Sequence, residues 1–296
     1  MRLYRCYAKV NLTLEVLGRR ADGYHELASL AHTISLADDL RVVEADEIVC
    51  RAEGLLLDPH EPNLVVQAAE VLREWTRVRA GADLTLLKRI PVAAGLGGGS
   101  SDAATTLVAL NTLWGTQLRS GELVSLAAEL GSDVPFFVRG GAAILRGSGT
   151  ELDLVPPVVG QWLTVAVPPH TLANKTATLY AALAPSDYTD GQTTRTAAAH
   201  LEAGLPAAEL KLTNAFSRVA GDVFPGLAAI WREAEAACGR AFQLSGAGPA
   251  LFTLAASRAD AQALVHVVEG LGLTAYATRT VAHARASVSP GARLQA

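Results

Sequence analysis

The sequence predicts an α+β protein built from two domains. Half of its 296 residues are hydrophobic, so the chain is long enough to bury more than one core. Strand-like and helix-like stretches follow one another irregularly, without the strict strand–helix–strand repetition of a parallel sheet. The adjacent prolines Pro156 and Pro157 interrupt both patterns near the middle of the chain. We therefore expect one domain over residues 1–157 and a second over 158–296.

The first domain is expected to open with a strand. Apolar residues alternate over 3–17, and every second residue of Val10–Val16 falls on one face. A polar turn with Asp22 and Gly23 at its tip follows. The other elements expected here are a strand over 34–49, a helix over 62–79, a strand over 82–92, helices over 102–114 and 122–130, and a loop leading into a glycine-punctuated hairpin within 131–149.

The second domain is expected to open with a strand as well. The stretch "QWLTVAV" (161–167) follows the proline pair and has a strand-like composition. Helical patterns are found over 174–184 and 214–238. The stretch "AFQLSGAGPALFTLAA" (241–256) predicts two strands joined by a glycine-rich turn.

Composition and charge exclude several classes of protein. The formal net charge is −4 and no basic cluster occurs, which argues against a nucleic-acid partner. The charge-free run 154–174 contains four prolines and does not predict a membrane helix. Three widely spaced cysteines without a Cys-x-x-Cys pair are typical of reduced thiols. Since the first residues also lack a signal-peptide pattern, we expect a cytoplasmic protein without nucleic-acid or membrane partners. The oligomeric state stays open.

The stretch "PVAAGLGGGSSDAATTL" (91–107) is the strongest functional signal in the chain. It lies between a predicted strand and a predicted helix, where glycines let an anion approach the backbone N–H groups of a helix N-terminus. Either Ser100 or Ser101 could cap that helix. The stretch lacks the Lys-Ser/Thr pair of a Walker loop and the third glycine of the dinucleotide pattern. We predict a phosphate-binding loop; the alternative is a structural turn, although four glycines and two serines exceed what a turn requires.

Two charged residues lie where they would suit phosphoryl transfer, which asks a protein mainly for positioning and charge. Asp133 lies in "GSDVPFF", in a loop beside a proline. Lys9 is one of only four lysines and lies within an apolar strand, where its compact ammonium could pair with a carboxylate and a phosphate. Asn11 points to the same strand face as Lys9. On the residues alone, Asp133 is equally well explained as a loop acid or helix cap, and Lys9 as an edge-strand lysine facing water.

Four segments of the chain resemble the galactokinase–homoserine kinase–mevalonate kinase–phosphomevalonate kinase (GHMP) superfamily. They are "AKVNLTLEVLGRRADGYHEL" (8–27), the glycine loop (91–111), "LGSDVPFFVRGGAAILRGSG" (130–149) and "LSGAGPALF" (244–252). The first and third are similar to members that phosphorylate a cytidine-diphosphate-linked methylerythritol in the non-mevalonate isoprenoid pathway. The resemblance implies a kinase that needs ATP and a divalent metal, Mg²⁺. It also implies an N-terminal domain like domain 2 of ribosomal protein S5, a ferredoxin-like C-terminal domain, and both ligands in the cleft between them.

The resemblance also implies roles for individual residues. Lys9 and Asp133 would be the catalytic pair, with Asp133 either accepting or orienting the proton of the substrate hydroxyl. Asn11 would bind polar groups of the substrate. The residues expected to contact ATP are Pro91, Val92, Ala93, Ala94, Gly95, Leu96, Gly97, Gly98, Gly99, Ser100 and Ser101.

In the resembling family, the pair Tyr24 and His25 recognises cytidine, the tyrosine by stacking and the histidine by hydrogen bonds. Tyr180 would be a second stacking surface, although a core tyrosine is equally consistent with its surroundings. The segment "LSGAGP" would form a second backbone cradle behind the phosphates. The metal ligands stay open; a hydroxyl of Ser100 or Ser101 together with waters is the arrangement that we expect.

Three other functions compete with this one. A homoserine or mevalonate kinase would share the loops but not the turn "GRRADGYHEL". A nucleotide-binding regulator without catalysis would not need Lys9 and Asp133. An RNA-binding module would share the S5-like fold, but the acidic charge balance argues against it.

Overall fold

Two β-sheets with helices packed against them form the part of the chain that the structure, a computed structural model, describes: residues 1–55, 63–169, 172, 174–283 and 285–288. Residue 62, the expected start of the first helix, and residues 289–296 of the expected second domain lie outside the described residues. The expected boundary at 157 falls between the last strand of the first hairpin region and the first strand of the second sheet, and it stays a prediction.

Within the described residues, the first sheet contains eight strands. They are β1 (Arg2–Arg19), β2 (His25–Ala45), β3 (Ile48–Gly54), β4 (Gly81–Lys88), β5 (Ala142–Gly147), β6 (Glu151–Val155), β8 (Thr213–Asn214) and β12 (Arg285–Val288). The order is β12-β1-β2-β4-β3, with β5 next to β2, β6 next to β5, and β8 next to β1. The late strands β8 and β12 therefore return to the sheet that the first half of the chain builds.

The long antiparallel pair of β1 and β2 is the framework of this sheet. The predicted turn connects the two strands, with Gly23 at a φ of 89° and the Asp22 carboxylate accepting the backbone N–H of Tyr24. The pairing register shifts between Tyr7 and Lys9 and again between Asn11 and Thr13. Such irregularities re-aim side chains, and here they flank Lys9 and Asn11.

In the part of the chain that the structure describes, the second sheet has four strands in the order β11-β7-β10-β9. They are β7 (Trp162–Val167), β9 (Gln243–Leu244), β10 (Leu251–Ala255) and β11 (Thr274–Arg279). All three neighbouring pairs are antiparallel. This confirms the strand expected at 161–167 and the strand–turn–strand unit expected within 241–256.

The helices of the described residues cover faces of both sheets. They are α1 (Leu64–Thr76), α2 (Gly98–Leu113), α3 (Ser120–Leu130), α4 (Val134–Arg139), α5 (Lys175–Ala182), α6 (Gln192–Glu202), α7 (Ser217–Val223), α8 (Leu227–Cys238) and α9 (Arg258–Gly270). Within the same residues, none of these helices is both long and apolar enough to cross a bilayer.

Several boundaries differ from the sequence-based expectation. The strand expected over 34–49 is divided between β2 and β3, because β2 starts directly after the turn and the chain bends at residues 46–47. The strand expected over 82–92 ends at Lys88. The helix expected over 214–238 is two helices, because Pro225 lacks an N–H and Gly226, at a φ of 83°, is the N-cap of α8. The sequence patterns did not predict α4, α6 or α9.

One of the buried hydrophobic clusters joins the two sheets. It contains Ala8, Val10 and Leu12 of β1 together with Leu163 of β7 and Phe252 of β10. A second cluster fills the space between the first sheet and α1–α4, and a third lies between the second sheet and α7–α9. The shared cluster fixes the glycine-rich turn of one sheet against the glycine loop of the other.

Candidate active site

The glycine loop ends where α2 begins, four residues earlier than the sequence predicted. Gly97 precedes the helix with a φ of 71°, and the first intrahelical bond runs from the Ser101 N–H to the Gly97 carbonyl (2.9 Å). No side chain of the described residues caps this end, so the serine caps expected from the sequence are wrong: both serines lie inside the first turn. The preceding N–H groups have no partner in the helix and carry its partial positive charge, which suits an anion.

Glycine is required at two points of this loop. A Cβ on Gly95 would lie 2.2 Å from the Ser245 carbonyl oxygen, which belongs to the glycine-rich turn between β9 and β10. A Cβ on Gly97 would lie 2.7 Å from the ring of Phe137. The two loops therefore touch through bare backbone, and we call them the first glycine loop (91–97) and the second glycine loop (245–249).

A cavity of about 540 Å³ opens beside α2. Nine of the eleven residues expected to contact ATP line it: Pro91, Val92, Ala93, Ala94, Gly95, Gly97, Gly98, Gly99 and Ser100. The side chains of Leu96 and Ser101 are buried outside it. The rest of the wall includes Leu64 and Leu86, so apolar surface adjoins the phosphate-binding end. A cavity of this size and character suits a nucleotide.

Lys9, Asn11 and Asp133 meet at the mouth of the first glycine loop. The buried Lys9 ammonium donates to Asn11 Oδ1 (2.7 Å) and lies 3.4 Å from Asp133 Oδ2. Asp133 precedes α4 but makes no capping bond with its side chain, which is 35% exposed. Its carboxylate therefore faces both Lys9 and solvent, where a substrate hydroxyl can reach it.

A buried polar chain fixes Asn11. Its Nδ2 donates to Ser29 Oγ (2.7 Å), and that hydroxyl donates to the Thr13 carbonyl (2.6 Å). The Thr13 hydroxyl lies 2.9 Å from that of Thr194 on the unpredicted helix α6. Because every member has a partner, the amide is held in one orientation with its oxygen on Lys9.

Asn214 holds the second glycine loop in place. Its Nδ2 donates to the carbonyls of Leu244 and Gly246, both at 2.9 Å, and its Oδ1 accepts the Phe216 N–H. The Ser245 hydroxyl in turn donates to the Gly95 carbonyl (3.0 Å), joining the loops. The sequence patterns gave no indication of this role for Asn214.

Lys175 is a site residue that sequence reasoning missed. It opens α5, and its ammonium donates to the carbonyls of Ala93 and Gly248. Burial, and next the positive charge of Lys9, lower the pKa of Lys175 to about 8, while Asp133 acts in the opposite direction. The scarcity of lysine was the available signal, but its partners are distant in sequence.

A second missed cluster lies behind α2. Lys88 is buried and donates to Asp38 and to Asp102, the latter at 2.8 Å. Burial raises the pKa of Asp102, Lys88 acts in the opposite direction, and Asp38 adds to the increase. Since Lys88 and Asp102 line the cavity, this ammonium offsets carboxylate charge next to a site prepared for phosphates.

Of the three residues expected to bind cytidine, two are in contact with each other and the third is not. His25 stacks on Tyr180, with ring centroids 4.5 Å apart and planes inclined by 15°. Phe216 meets the edge of Tyr180 at 4.9 Å. Tyr24 is 67% exposed at the hairpin tip, and its ring makes no aromatic contact within the described residues. Burial, and next Arg19, lower the pKa of His25, so the imidazole is neutral at pH 7 and can both donate and accept.

The described residues contain no cluster of three or more His, Cys, Asp or Glu side chains that could hold a metal. Ser100 lines the cavity, whereas the hydroxyl of Ser101 is buried. A hydroxyl plus phosphate and water oxygens is a donor set that Mg²⁺ accepts.

Comparisons with known proteins identify the class of this fold and site. Residues 63–141 match the family model for the GHMP kinases N terminal domain, and residues 198–271 match the model for the GHMP kinases C terminal. A solved structure described as 4-(cytidine 5'-diphospho)-2C-methyl-D-erythritol kinase superposes with a TM-score of 0.79 at 34% identity, covering 94% of this chain and 98% of the other. The chain is a GHMP kinase of two-domain α+β architecture.

Relatives in sequence narrow this to one family. A 4-diphosphocytidyl-2-C-methyl-D-erythritol kinase from Dehalococcoides mccartyi is 38% identical over 93% of this chain and 96% of its own length. One of the same name from Pelotomaculum thermopropionicum is 41% identical over 86% of this chain and 89% of its own. The chain belongs to the 4-diphosphocytidyl-2-C-methyl-D-erythritol kinase family.

Proposed function

We propose that this chain transfers the terminal phosphoryl group of ATP to the 2-hydroxyl of 4-(cytidine 5'-diphospho)-2-C-methyl-D-erythritol, in the non-mevalonate isoprenoid pathway. The observation that carries the proposal is the match, over most of both chains, to relatives bearing this kinase's name. The Lys9–Asp133 pair beside the uncapped start of α2 supports it with geometry suited to phosphoryl transfer.

Asp133 and Lys9 have different roles in the phosphoryl transfer. Asp133 accepts the proton of the 2-hydroxyl as that oxygen forms its bond to phosphorus and the bond to the departing ADP breaks. Lys9, 3.4 Å from Asp133, neutralises charge that develops on the transferring group. Asn11 holds the Lys9 ammonium in position and offers its amide to the substrate.

The first glycine loop and the start of α2 bind the phosphates of ATP through backbone N–H groups, and the adjoining apolar cavity takes the adenosine. Mg²⁺ would neutralise phosphate charge and orient the phosphates there. Ser100 is the side chain placed to contribute a ligand, with waters and phosphate oxygens completing the shell.

The cytidine end of the substrate serves recognition. Tyr24 supplies a ring face for the base, His25 reads its hydrogen-bonding edge, and Tyr180 supports His25 or stacks on the base from the other side.

The three unlinked cysteines fit a cytoplasmic location, which we include in the proposal.

A substrate panel tests the proposal. ADP release is measured with ATP and, separately, the cytidine substrate, its uridine analogue, homoserine and mevalonate. We expect rapid release with the cytidine substrate and little with the others. Preference for homoserine or mevalonate, or no acceptor-dependent release, would contradict the proposal.

A further inference from the structure

Lys175 connects the two glycine loops across the cleft. Its ammonium donates to the Ala93 carbonyl in the first loop and to the Gly248 carbonyl in the second. These loops come from different halves of the chain, and Lys175 itself opens α5 in a third segment. One flexible side chain thus ties together three segments around the expected phosphates.

The backbone at one of these carbonyls needs such a partner. Ala93 has a φ of 52°, in the left-handed region that L-residues with a side chain rarely adopt. A non-glycine residue keeps this conformation only where its surroundings impose it. The hydrogen bond from Lys175 to the Ala93 carbonyl is one such constraint on the loop that is expected to present N–H groups to a phosphate.

The charges around Lys175 also indicate an anionic ligand. Lys9 from β1 and Asp133 before α4 interact with it, and the two glycine loops carry no titratable side chain. Tyr180, on the same helix, has its pKa raised to about 12 by burial, and His25, stacked on Tyr180, titrates on the acid side. Two ammonium groups therefore face one carboxylate, and the excess positive charge is available to a phosphate.

We infer that Lys175 is a second cation of the phosphoryl-transfer site: a positioning residue that clamps the two glycine loops and adds positive charge next to Lys9. This inference rests on the proposed function, since it concerns the same reaction. It predicts that turnover needs Lys175 protonated. Its pKa of about 8 means that the charge is lost as the pH rises through that value.

The test compares Lys175→Met, Lys175→Arg and the wild type in full-length protein, with Lys211→Met as matched control. Lys211 is the exposed lysine among the four, and it lines a separate surface pocket beside α6. In the wild type and in Lys211→Met, kcat/KM for ATP, which reports groups of the free enzyme, should decline above about pH 8. Lys175→Arg should lack this decline because a guanidinium stays charged. Lys175→Met should lose about 10²-fold in kcat at pH 7 with a much smaller change in the KM of the cytidine substrate.

Two results would overturn the inference: a Lys175→Met protein with wild-type kcat, or the same alkaline decline in Lys175→Arg as in the wild type. The second comparison holds even where Lys175→Met fails to fold, which its melting temperature reveals. If the wild type and Lys211→Met both fail to phosphorylate the cytidine substrate, the failure lies with the proposed function and not with Lys175.

Discussion

Lysine and arginine side chains lie in different environments in this chain. Three of the four lysines, Lys9, Lys88 and Lys175, lie at the cleft and pair with buried or half-buried acceptors. In the ion pairs of arginine within the described residues, the guanidinium is instead at least partly exposed, as in Arg240 with Asp260. A compact ammonium can be desolvated among carbonyls and phosphates, whereas the planar guanidinium is suited to bidentate pairs at the surface. At the residue scale, the distribution of lysine marks the site.

The role of Asp133 gives the first prediction. Asp133→Asn keeps the shape of the side chain and removes its charge, so kcat should fall by about 10²–10⁴-fold. Binding of ATP should be nearly unchanged. The melting temperature should stay the same as well, because the side chain caps no helix. Steady-state kinetics and nucleotide titration check this, and near-wild-type turnover would remove Asp133 from the mechanism.

Tyr24 is expected to stack on the base although it is exposed in the ligand-free structure. Stacking is worth about 1–3 kcal/mol per base, so Tyr24→Ala should raise the KM of the cytidine substrate about ten- to hundredfold and leave that of ATP alone. Tyr24→Phe should be nearly silent. Trp75→Ala is the control, since Trp75 is another exposed aromatic (58%) outside the cleft. An unchanged KM in Tyr24→Ala would mean that the hairpin tip does not read the base.

The lowered pKa of His25 sets a pH dependence. Burial and Arg19 disfavour the imidazolium, so His25 stays neutral down to a pH below its ordinary value of 6.5. The KM of the cytidine substrate should therefore be flat from about pH 8 to pH 6.5 and rise only in more acidic buffer. His25→Ala should abolish the acidic rise and reduce the preference for cytidine over uridine. A rise that begins near neutral pH would show that His25 is not the group being titrated.

At the scale of elements, the start of α2 is the most informative feature. Gly99 is exposed on its first turn, and a Cβ there would come no closer than 3.4 Å to another heavy atom, Leu64 Cδ1. Gly98 is less suitable for a test, because its Cβ would press on Ile90 at 3.0 Å.

Gly99→Val should therefore raise the KM of ATP several-fold with little loss of stability, since the added methyls enter the phosphate space rather than the core. Gly97→Ala should instead lower the melting temperature, because its Cβ would meet the Phe137 ring. If a folded Gly99→Val protein has unchanged ATP kinetics, the loop does not bind phosphate and is only a structural turn.

The sequence predicted elements best where the pattern is local. The alternation in β1 was sufficient to predict that strand, and the strand–loop–helix order identified the first glycine loop. The start of α2 was misplaced because a glycine-rich first turn has no helical pattern, although Gly97 and the loop contacts set it. The split of 214–238 at Pro225 was visible in the sequence but was given too little weight.

The site was predictable to a similar degree. The strand spacing of Lys9 and Asn11 correctly put both on one face. Lys175 was not predictable, because its acceptors are backbone carbonyls 82 and 73 residues away. The Lys88–Asp38–Asp102 cluster likewise depends on a contact between two strands and a helix that no local pattern contains. The roles assigned to individual residues stay predictions.

At the scale of the whole molecule, the two sheets behave as one support for the cleft. The hydrophobic cluster that they share, the Ser245–Gly95 bond and the return of β8 to β1 all fix the second glycine loop against the first. The Glu15 carboxylate of β1 also accepts the Thr194 N–H at 2.7 Å, which holds α6 against the first sheet. Phosphoryl transfer depends on holding donor and acceptor in line, so a rigid joint at this position serves the chemistry directly.

The identity of the product tests the central claim most directly. The purified chain is incubated with ATP and 4-(cytidine 5'-diphospho)-2-C-methyl-D-erythritol, and the product is examined by phosphorus NMR, with the Asp133→Asn protein as control. The 2-carbon bears no hydrogen, so a phosphate on its oxygen gives a phosphomonoester signal without coupling to a carbon-bound hydrogen. We expect that unsplit signal, next to the two signals of the intact diphosphate, from the wild type and only weakly from the control. A split phosphomonoester signal, which marks transfer to another hydroxyl, or inorganic phosphate alone would contradict the claim.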